Sequence, residues 1–427
     1  MVDRFFSILL ILVQANFFYA TFLPSLFYRL ENYHTKYLTI LVLVLWLSWR
    51  LLVTLTKHDK LIKQNTNNRG IFAFVFLYSS WIVVSIFSTM LKYGLSIREI
   101  VPGYLYMTIP VLMFVIGSSL DSRSIKFLFR TIVVISTIYA LLLIMQSWFW
   151  SKGRIFLQIA NDYQLSNGDI QVSGSFLRIM EPGDFLALAF LTAMIMSFQK
   201  PYFKFLPIAI SFQLFAIIFV CQTRMNMLIC VAVTMVWLLY KIPGLSKGVW
   251  AMLLLSLAIL AILSIPVVDD ILGFTSGDRV ASYNVRLEEV NYYLDLVFKS
   301  PYFGIGFPPD NSAFFALLHG PFSQFSTHAY YLDDIGVLGS IVQFGLPFCL
   351  ILLVLLISLV KQTISNPQFY VLGSALYLFL LLPTLSPFNP QRIFTLGMLI
   401  SIIFCRMMKV PNNSQETEVD IPSLEKN

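Results

Sequence analysis

Residues 129–150 read FRTIVVISTIYALLLIMQSWFW, an apolar run whose one charged residue, Arg130, stands next to its start. About 20 mainly apolar residues cross a bilayer as a helix, so this run is expected to span a membrane. Similar runs recur along the whole chain and predict an all-α, polytopic protein with about 12 transmembrane helices in residues 1–410. The other runs lie near residues 5–28, 37–56, 71–91, 102–120, 183–199, 205–221, 225–240, 249–266, 334–360, 369–384 and 391–405.

The composition supports the same fold class. Of 427 residues, 58% are hydrophobic and 12% are charged, whereas a soluble domain carries about 25% charged residues. Too little polar surface is left to cover a water-soluble globule. The net charge of +7 does not imply nucleic acid, because basic residues at cytoplasmic helix ends give the same sign. The four cysteines show no spacing typical of disulfides or metal sites.

The basic residues predict the orientation. With a cytoplasmic N-terminus, the inner side holds 17 Lys and Arg side chains and the outer side holds 12, which agrees with the positive-inside rule. An even number of spans then places the polar tail, residues 411–427, in the cytoplasm. Two long loops, about residues 151–182 and 267–333, are then expected on the outer side. Long ordered loops usually carry function.

Charged residues are unevenly distributed among the predicted spans and loops. None of the 22 Asp and Glu residues lies in the middle of a span, and Asp184, at a helix start, comes closest. A mid-bilayer charge costs about 2.5–3.5 kcal/mol and is kept for function, as in many ion-coupled transporters, so a transporter is disfavoured.

Eight of the 12 outward cations are Arg, against six of the 17 inward ones. This bias indicates binding of a diphosphate or carboxylate; chance scatter with Arg–carboxylate pairs is the alternative.

Two short outer segments each present one arginine. In GSFLRIMEPGDFLALAF, residues 174–190, Arg178 directly precedes a helix, whose N-terminus offers free amides to an anion; an interfacial anchor is the alternative. In CQTRMNML, residues 221–228, Arg224 lies between two apolar runs with almost no loop. It must face the outer surface or a cavity, either for a ligand or as a snorkelling side chain.

The second long loop contains a predicted helix and a turn, NVRLEEVNYYLDLVFKSPYFGIGF, residues 284–307. Residues 284–298 are typical of an amphipathic helix with Arg286 in its first turns, and the glycines that follow predict a tight turn. His328 comes near the end of the loop; a lone His is more often structural than catalytic. The apolar side of the helix is expected to consist of Val285, Leu287, Val290, Tyr293, Leu294 and Leu296.

Several common catalytic motifs are missing from the sequence. It contains no G-x-x-x-x-G-K-[ST], H-E-x-x-H or G-x-S-x-G. It also has no Asp-x-Asp pair of the kind that holds a metal and a nucleotide sugar. Asp333–Asp334 and Asp269–Asp270 are adjacent, so their side chains would point apart on a helix and are not expected to form such a site.

The order of these segments resembles the O-antigen ligase and polymerase superfamily of bacterial inner-membrane proteins. Members carry an Arg in a tight turn, then a long periplasmic loop with an Arg-bearing helix, a Pro-then-Gly-x-Gly-Phe turn, and a His followed by a Gly with ten residues between them. The similarity covers roughly residues 170–350 and includes Arg178 with Glu181 and Pro182; Thr223 stands where members often have Ser. The matching positions are Arg224, Arg286, Pro301, Gly304, Gly306, Phe307, His328 and Gly339.

The resemblance implies glycosyl transfer on the periplasmic face, without a metal or other cofactor. The donor would be a glycan on undecaprenyl diphosphate. Arg224 and Arg286 would neutralise the departing diphosphate, with Arg178 as a third cation. His328 would take the acceptor's proton or orient the acceptor. Single displacement would invert the anomeric carbon.

Three functions remain open at this point. The loose motifs favour a polymerase that joins lipid-linked repeat units of O-antigen or a related surface polysaccharide. A ligase would instead transfer the glycan to the lipid A–core. A lipid-linked oligosaccharide flippase would need a central polar cavity and usually a two-fold repeat, and the sequence indicates neither. The family adds a chain-length regulator as a protein partner; no nucleic acid is expected.

Overall fold

The computed structural model describes residues 1–15, 35–57, 69–154, 172–173, 176–179, 182–198, 203–241, 280–320, 329–383 and 385–405. The predicted span 249–266, the tail 411–427 and His328 lie outside the described residues. The described part is mostly helical, which confirms the all-α class. Its only strands form a two-stranded antiparallel hairpin of Val172–Ser173 and Phe176–Leu177, in which Val172 pairs with Leu177.

Five described helices are long and apolar enough to cross a membrane. This supports the prediction of a helical membrane protein. Their outward faces carry large apolar side chains such as Leu55, Phe76 and Leu350, as expected where hydrocarbon replaces water as the solvent. The five spans are Lys36–Thr56, Arg69–Tyr93, Ile97–Ser119, Ser122–Trp150 and Pro347–Ser365.

Shorter helices fill the centre of the bundle. Gly183–Met196, hereafter the buried helix, has every residue buried, and Phe369–Leu381 and Ile393–Phe404 are nearly as enclosed. Helices that are apolar on all sides belong in such a core. The remaining described helices are Val2–Gln14, Leu206–Phe215 with its π-helical continuation Ala216–Cys221, Arg224–Tyr240, Val280–Lys299, Phe315–His319 and Val337–Phe344; the long span Ile97–Ser119 contains Ile97–Leu105, a 3-10 turn Tyr106–Thr108, and Ile109–Ser119.

The apolar run 334–360 was expected to form one helix and instead forms two. Val337–Phe344 ends at Gly345, and the next helix begins at Pro347. A proline in the first turn of a helix loses no hydrogen bond there, so it starts the second helix without cost. The apolar run continues across this break, which is why hydropathy alone does not show it.

The second long loop folds against the end of the bundle. Its turn docks on Val337–Phe344, where the N–H of Ile305 donates to the Val342 carbonyl at 2.9 Å and the N–H of Gly306 donates to that of Gln343 at 2.9 Å. The helix Val280–Lys299, hereafter the loop helix, shares a small second core with these elements. That core comprises Tyr293, Val297, Ile305, Leu318, Tyr330, Ile335 and Val342.

The loop helix confirms the prediction for residues 284–298, but its buried face differs from the expected one. Leu287 is 46% exposed. The buried stripe is Glu289, Tyr293 and Val297, spaced by four residues, which places them on one face of a helix. A carboxylate therefore occupies a position where an apolar side chain was expected.

Gly304 and Gly94 allow a test of how tightly the loop is docked. Both have a positive φ, +62° and +66°, but a Cβ on Gly304 would meet the Val342 carbonyl oxygen, whereas one on Gly94 would meet nothing within 4 Å. The φ strain should cost each alanine variant about 1–2 kcal/mol, and the clash should cost Gly304→Ala about 1–3 kcal/mol more. Thermal unfolding in detergent measures both. Equal losses of stability would show that the turn is not docked on Val337–Phe344.

Candidate functional site

The segments of Arg178 and Arg224 lie against each other. The N–H of Ile179 donates to the Val220 carbonyl at 2.9 Å, which joins the strand before the buried helix to the turn before Arg224. A Cβ on Gly183 would collide with the Asn226 amide, so the start of the buried helix packs directly on this turn. The structure thus brings together two arginine segments that the sequence predicted separately.

The turn before Arg224 has an unusual backbone. The π-helical segment Ala216–Cys221 ends at Gln222, whose φ of 51° is the one positive value for a non-glycine residue within the described ranges. A left-handed residue costs about 1–2 kcal/mol, and π-helical segments and strained residues are frequent at functional sites. Thr223 then precedes the helix Arg224–Tyr240. This geometry, hereafter the tight turn (Cys221–Arg224), places the half-buried Arg224 at a helix start without a loop.

A buried ion pair links the start of the buried helix to the far end of the chain. Arg392 Nε lies 2.9 Å from Asp184 Oδ2, with side chains only 10% and 12% exposed. Asn226 Nδ2 donates to the other Asp184 oxygen at 3.1 Å. Arg178 is close as well, since the charges of both Arg178 and Asp184 act on the Cys221 thiol. Such a pair is tolerated in the interior only when hydrogen bonds also satisfy it.

The charge of Arg392 also acts on two adjacent carboxylates. Asp333 and Asp334 lie in the 3-10 turn Leu332–Ile335, hereafter the acidic turn. Burial raises the pKa of Asp333, and Arg392, the Asn389 side chain and Lys36 oppose the rise. A Cβ on Gly339 would collide with the Leu332 carbonyl, so glycine there lets the acidic turn lie on Val337–Phe344.

The charges of Arg286 and Arg392 both act on Asp334. Its side chain is exposed at the surface, yet desolvation by the surrounding protein raises the pKa of Asp334, and the two arginine charges oppose that rise. The sequence argument assumed a regular helix for this pair, whereas the structure has a 3-10 turn there. In that turn both carboxylates lie within the field of Arg392.

Glu289 completes the charged cluster. It is 1% exposed and accepts a hydrogen bond at 3.0 Å from the N–H of Tyr331, next to the acidic turn. Burial raises the pKa of Glu289 to about 7; the Tyr331 bond and Arg286 oppose the rise, and Asp334 adds to it. A carboxyl group that titrates near neutral pH inside a charged site is a functional candidate.

The structure therefore places the segments of three of the four predicted site residues around Arg392. The charges of Arg286 and Arg392 both act on Asp334, and Arg392 pairs with Asp184, which accepts a hydrogen bond from Asn226 on the helix of Arg224. The position of His328 lies outside the described residues, and its predicted role stays a prediction. Five further charged residues lie between these segments and were not predicted as site residues. They are Asp184, Glu289, Asp333, Asp334 and Arg392.

A different histidine, His319, is held in place by the fold. Its Nδ1 lies 3.1 Å from the Tyr330 carbonyl oxygen and its Nε2 lies 3.1 Å from Asp310 Oδ1. Both ring nitrogens are thus engaged, which suits a structural role at the end of Phe315–His319. No group of three His, Cys, Asp or Glu side chains in the described ranges has a geometry for metal binding.

The alternation of guanidinium and carboxylate groups suits exchange of one anion for another. Arg392 is paired with Asp184, and the charge of Arg286 acts on Asp334 and Glu289; a diphosphate can replace such carboxylates because guanidinium groups bind both anions in the same bidentate way. No protein-family model matches the chain, and a search of curated proteins finds no match to it.

Proposed function

We propose that this protein is a polymerase of undecaprenyl-diphosphate-linked repeat units of O-antigen or a related surface polysaccharide. One observation carries the proposal. Arg286, on the loop helix, and Arg392 both act electrostatically on Asp334, and Arg392 pairs with Asp184 beside the segments of Arg178 and Arg224. A site that must bind a lipid diphosphate and stabilise its departure needs several arginines in one place.

The proposal includes the number of membrane spans and their orientation. About twelve spans would place both termini in the cytoplasm of a bacterium and the protein in its inner membrane. The charged cluster and the loops about residues 151–182 and 267–333 would then face the periplasm, where repeat units are joined. Five described helices that are long and apolar enough to cross a membrane, together with five shorter apolar helices, support the membrane part of this proposal.

The proposed reaction is a single displacement. An acceptor hydroxyl attacks the anomeric carbon, the new C–O bond forms, and the bond to the lipid diphosphate breaks with inversion. The diphosphate leaves as an anion whose charge Arg224 and Arg286 neutralise, with Arg178 as a third cation. His328 takes the hydroxyl proton or orients the acceptor. The chain's own side chains carry every step, and a chain-length regulator is a further proposed partner.

A deletion strain tests the function through its surface polysaccharide ladder on a gel. Wild type should restore long chains, whereas Arg286→Ala and His328→Ala should leave a core with one repeat. Arg98→Ala is the matched control, because Arg98 is exposed and lies outside the cluster. Each variant must reach the membrane in equal amount. A naked core in the deletion strain would indicate a ligase, donor trapped in the cytoplasmic leaflet would indicate a flippase, and full ladders from both variants would overturn the site.

A further inference from the structure

Glu289 has an unusual environment for a carboxyl group. It lies on the buried stripe of the loop helix with Tyr293 and Val297, and its exposure is 1%. Oε1 accepts the Tyr331 N–H. Oε2 is equally buried and has no hydrogen-bond partner. Leaving a buried polar atom without a hydrogen bond destabilises the fold, so a group kept in this state calls for a role beyond packing.

The groups around Glu289 come from two sides. On its own helix are Arg286, one turn earlier and on the same face, and Tyr293, one turn later. From the segment packed against that helix come the carboxylates of Asp333 and Asp334 and the phenol of Tyr330. Arg286 is the cation that Glu289 and Asp334 share.

Ionised Glu289 therefore competes with any anionic ligand for Arg286. With both carboxylates charged, their negative charge near Arg286 opposes the binding of a diphosphate there. With Glu289 protonated, one competing charge disappears, while the neutral acid still accepts the Tyr331 N–H and keeps the acidic turn in place. Protonation of Oε2 also removes a negative charge from a buried atom that has no hydrogen-bond donor.

We infer that Glu289 is a proton-linked positioning residue for the anionic donor, and that its protonation releases Arg286 to bind the diphosphate. This inference rests on the proposed function, because it presupposes that Arg286 binds a diphosphate. It assigns Glu289 no contact with the reacting atoms. Glu289 acts through Arg286 on the affinity for the donor and leaves the chemical step to other residues.

The sign of the pH effect follows from the position of the titration. Burial raises the pKa of Glu289 to about 7, so the group is protonated below that pH without a ligand. A bound diphosphate adds negative charge nearby and raises the pKa further. Affinity is then highest below about pH 7 and falls as pH rises, by up to about tenfold per pH unit for one linked proton.

The test measures binding of a short prenyl diphosphosugar to the full-length protein in detergent. This diphosphate diester keeps its two charges from about pH 6 to about pH 9, so the ligand's own titration does not interfere. The dissociation constant of the wild type should rise across that range by at least about tenfold. Glu289→Gln should bind at every pH as tightly as the wild type does at low pH. Glu288→Gln, which changes the adjacent residue, should keep the wild-type profile.

The outcomes separate this inference from the proposed function. If wild type binds the diphosphosugar with no pH dependence, or if Glu289→Gln keeps the wild-type profile, the role of Glu289 is wrong while the proposed function stands. If wild type does not bind at any pH, the proposed function itself fails. Should Glu289→Gln not fold, Asp334→Asn removes the other competing anion and should tighten binding at high pH; unchanged binding would then overturn the inference.

Discussion

Arg392→Met is expected to lower the free energy of unfolding by about 3–5 kcal/mol, because it leaves a buried carboxylate without its cation. Asp184 is 12% exposed, and after the change the Asn226 amide still donates to it. Methionine fills a similar volume, so the loss reports the missing charge more than a cavity. Denaturant unfolding in detergent, followed by circular dichroism, measures it.

Two further variants test whether the loss of stability comes from the unpaired Asp184 charge. Adding Asp184→Asn to Arg392→Met should recover most of the loss, since the buried charge disappears while the Asn226 contact can persist. Arg123→Met, at an exposed arginine, should stay within about 0.5 kcal/mol of wild type. A stable Arg392→Met protein would mean that the pair contributes nothing and that water reaches Asp184.

The ion pair also determines where the site residues lie. Asp184 stands in the first turn of the buried helix, which packs on the tight turn, and Arg392 faces the acidic turn. Loss of the pair would therefore separate the Arg178 and Arg224 segments from Arg286. The expected loss of stability and an expected loss of the proposed transfer activity therefore share one physical cause, the missing Asp184–Arg392 pair.

The sequence was most informative where bilayer physics dominates. Helix starts such as Gly183 and Arg224 fall close to the predicted ones, because hydropathy changes sharply there. Hydropathy cannot show a break inside an apolar run, so the end of a helix at Gly345 was not expected. It also could not show that Glu289 replaces Leu287 on the buried face, since the face depends on which element packs against the loop helix.

The site was predictable in part for a related reason. An arginine next to a span is conspicuous in an apolar chain, so Arg178, Arg224 and Arg286 stood out. Their carboxylate partners did not, because each contact joins distant parts of the sequence: Asp184 and Arg392 are more than 200 residues apart. Nothing local marks Asp334 as the partner of Arg286, and an adjacent acidic pair has no fixed geometry until its turn type is known.

Arg286→Ala is expected to reduce the rate of chain growth about 100- to 1,000-fold, the loss typical of removing one donor that stabilises transition-state charge. Arg286 is exposed, and its charge acts on Asp334 and Glu289. Its removal should leave the free energy of unfolding within about 0.5 kcal/mol, as for most surface changes. A fall in rate without a fall in stability would assign the side chain to the reaction.

Reconstituted protein supplied with lipid-linked repeat units measures that rate directly. Arg286→Lys should recover only part of it, since an ammonium group keeps the charge but not the planar fork that binds two diphosphate oxygens together. Arg98→Ala should match wild type. The reverse pattern, with Arg286→Ala within about twofold of wild type or Arg286→Lys fully active, would mean that the loop helix presents no diphosphate ligand. The cluster around Arg392 would then be a structural network that holds the loop on the bundle.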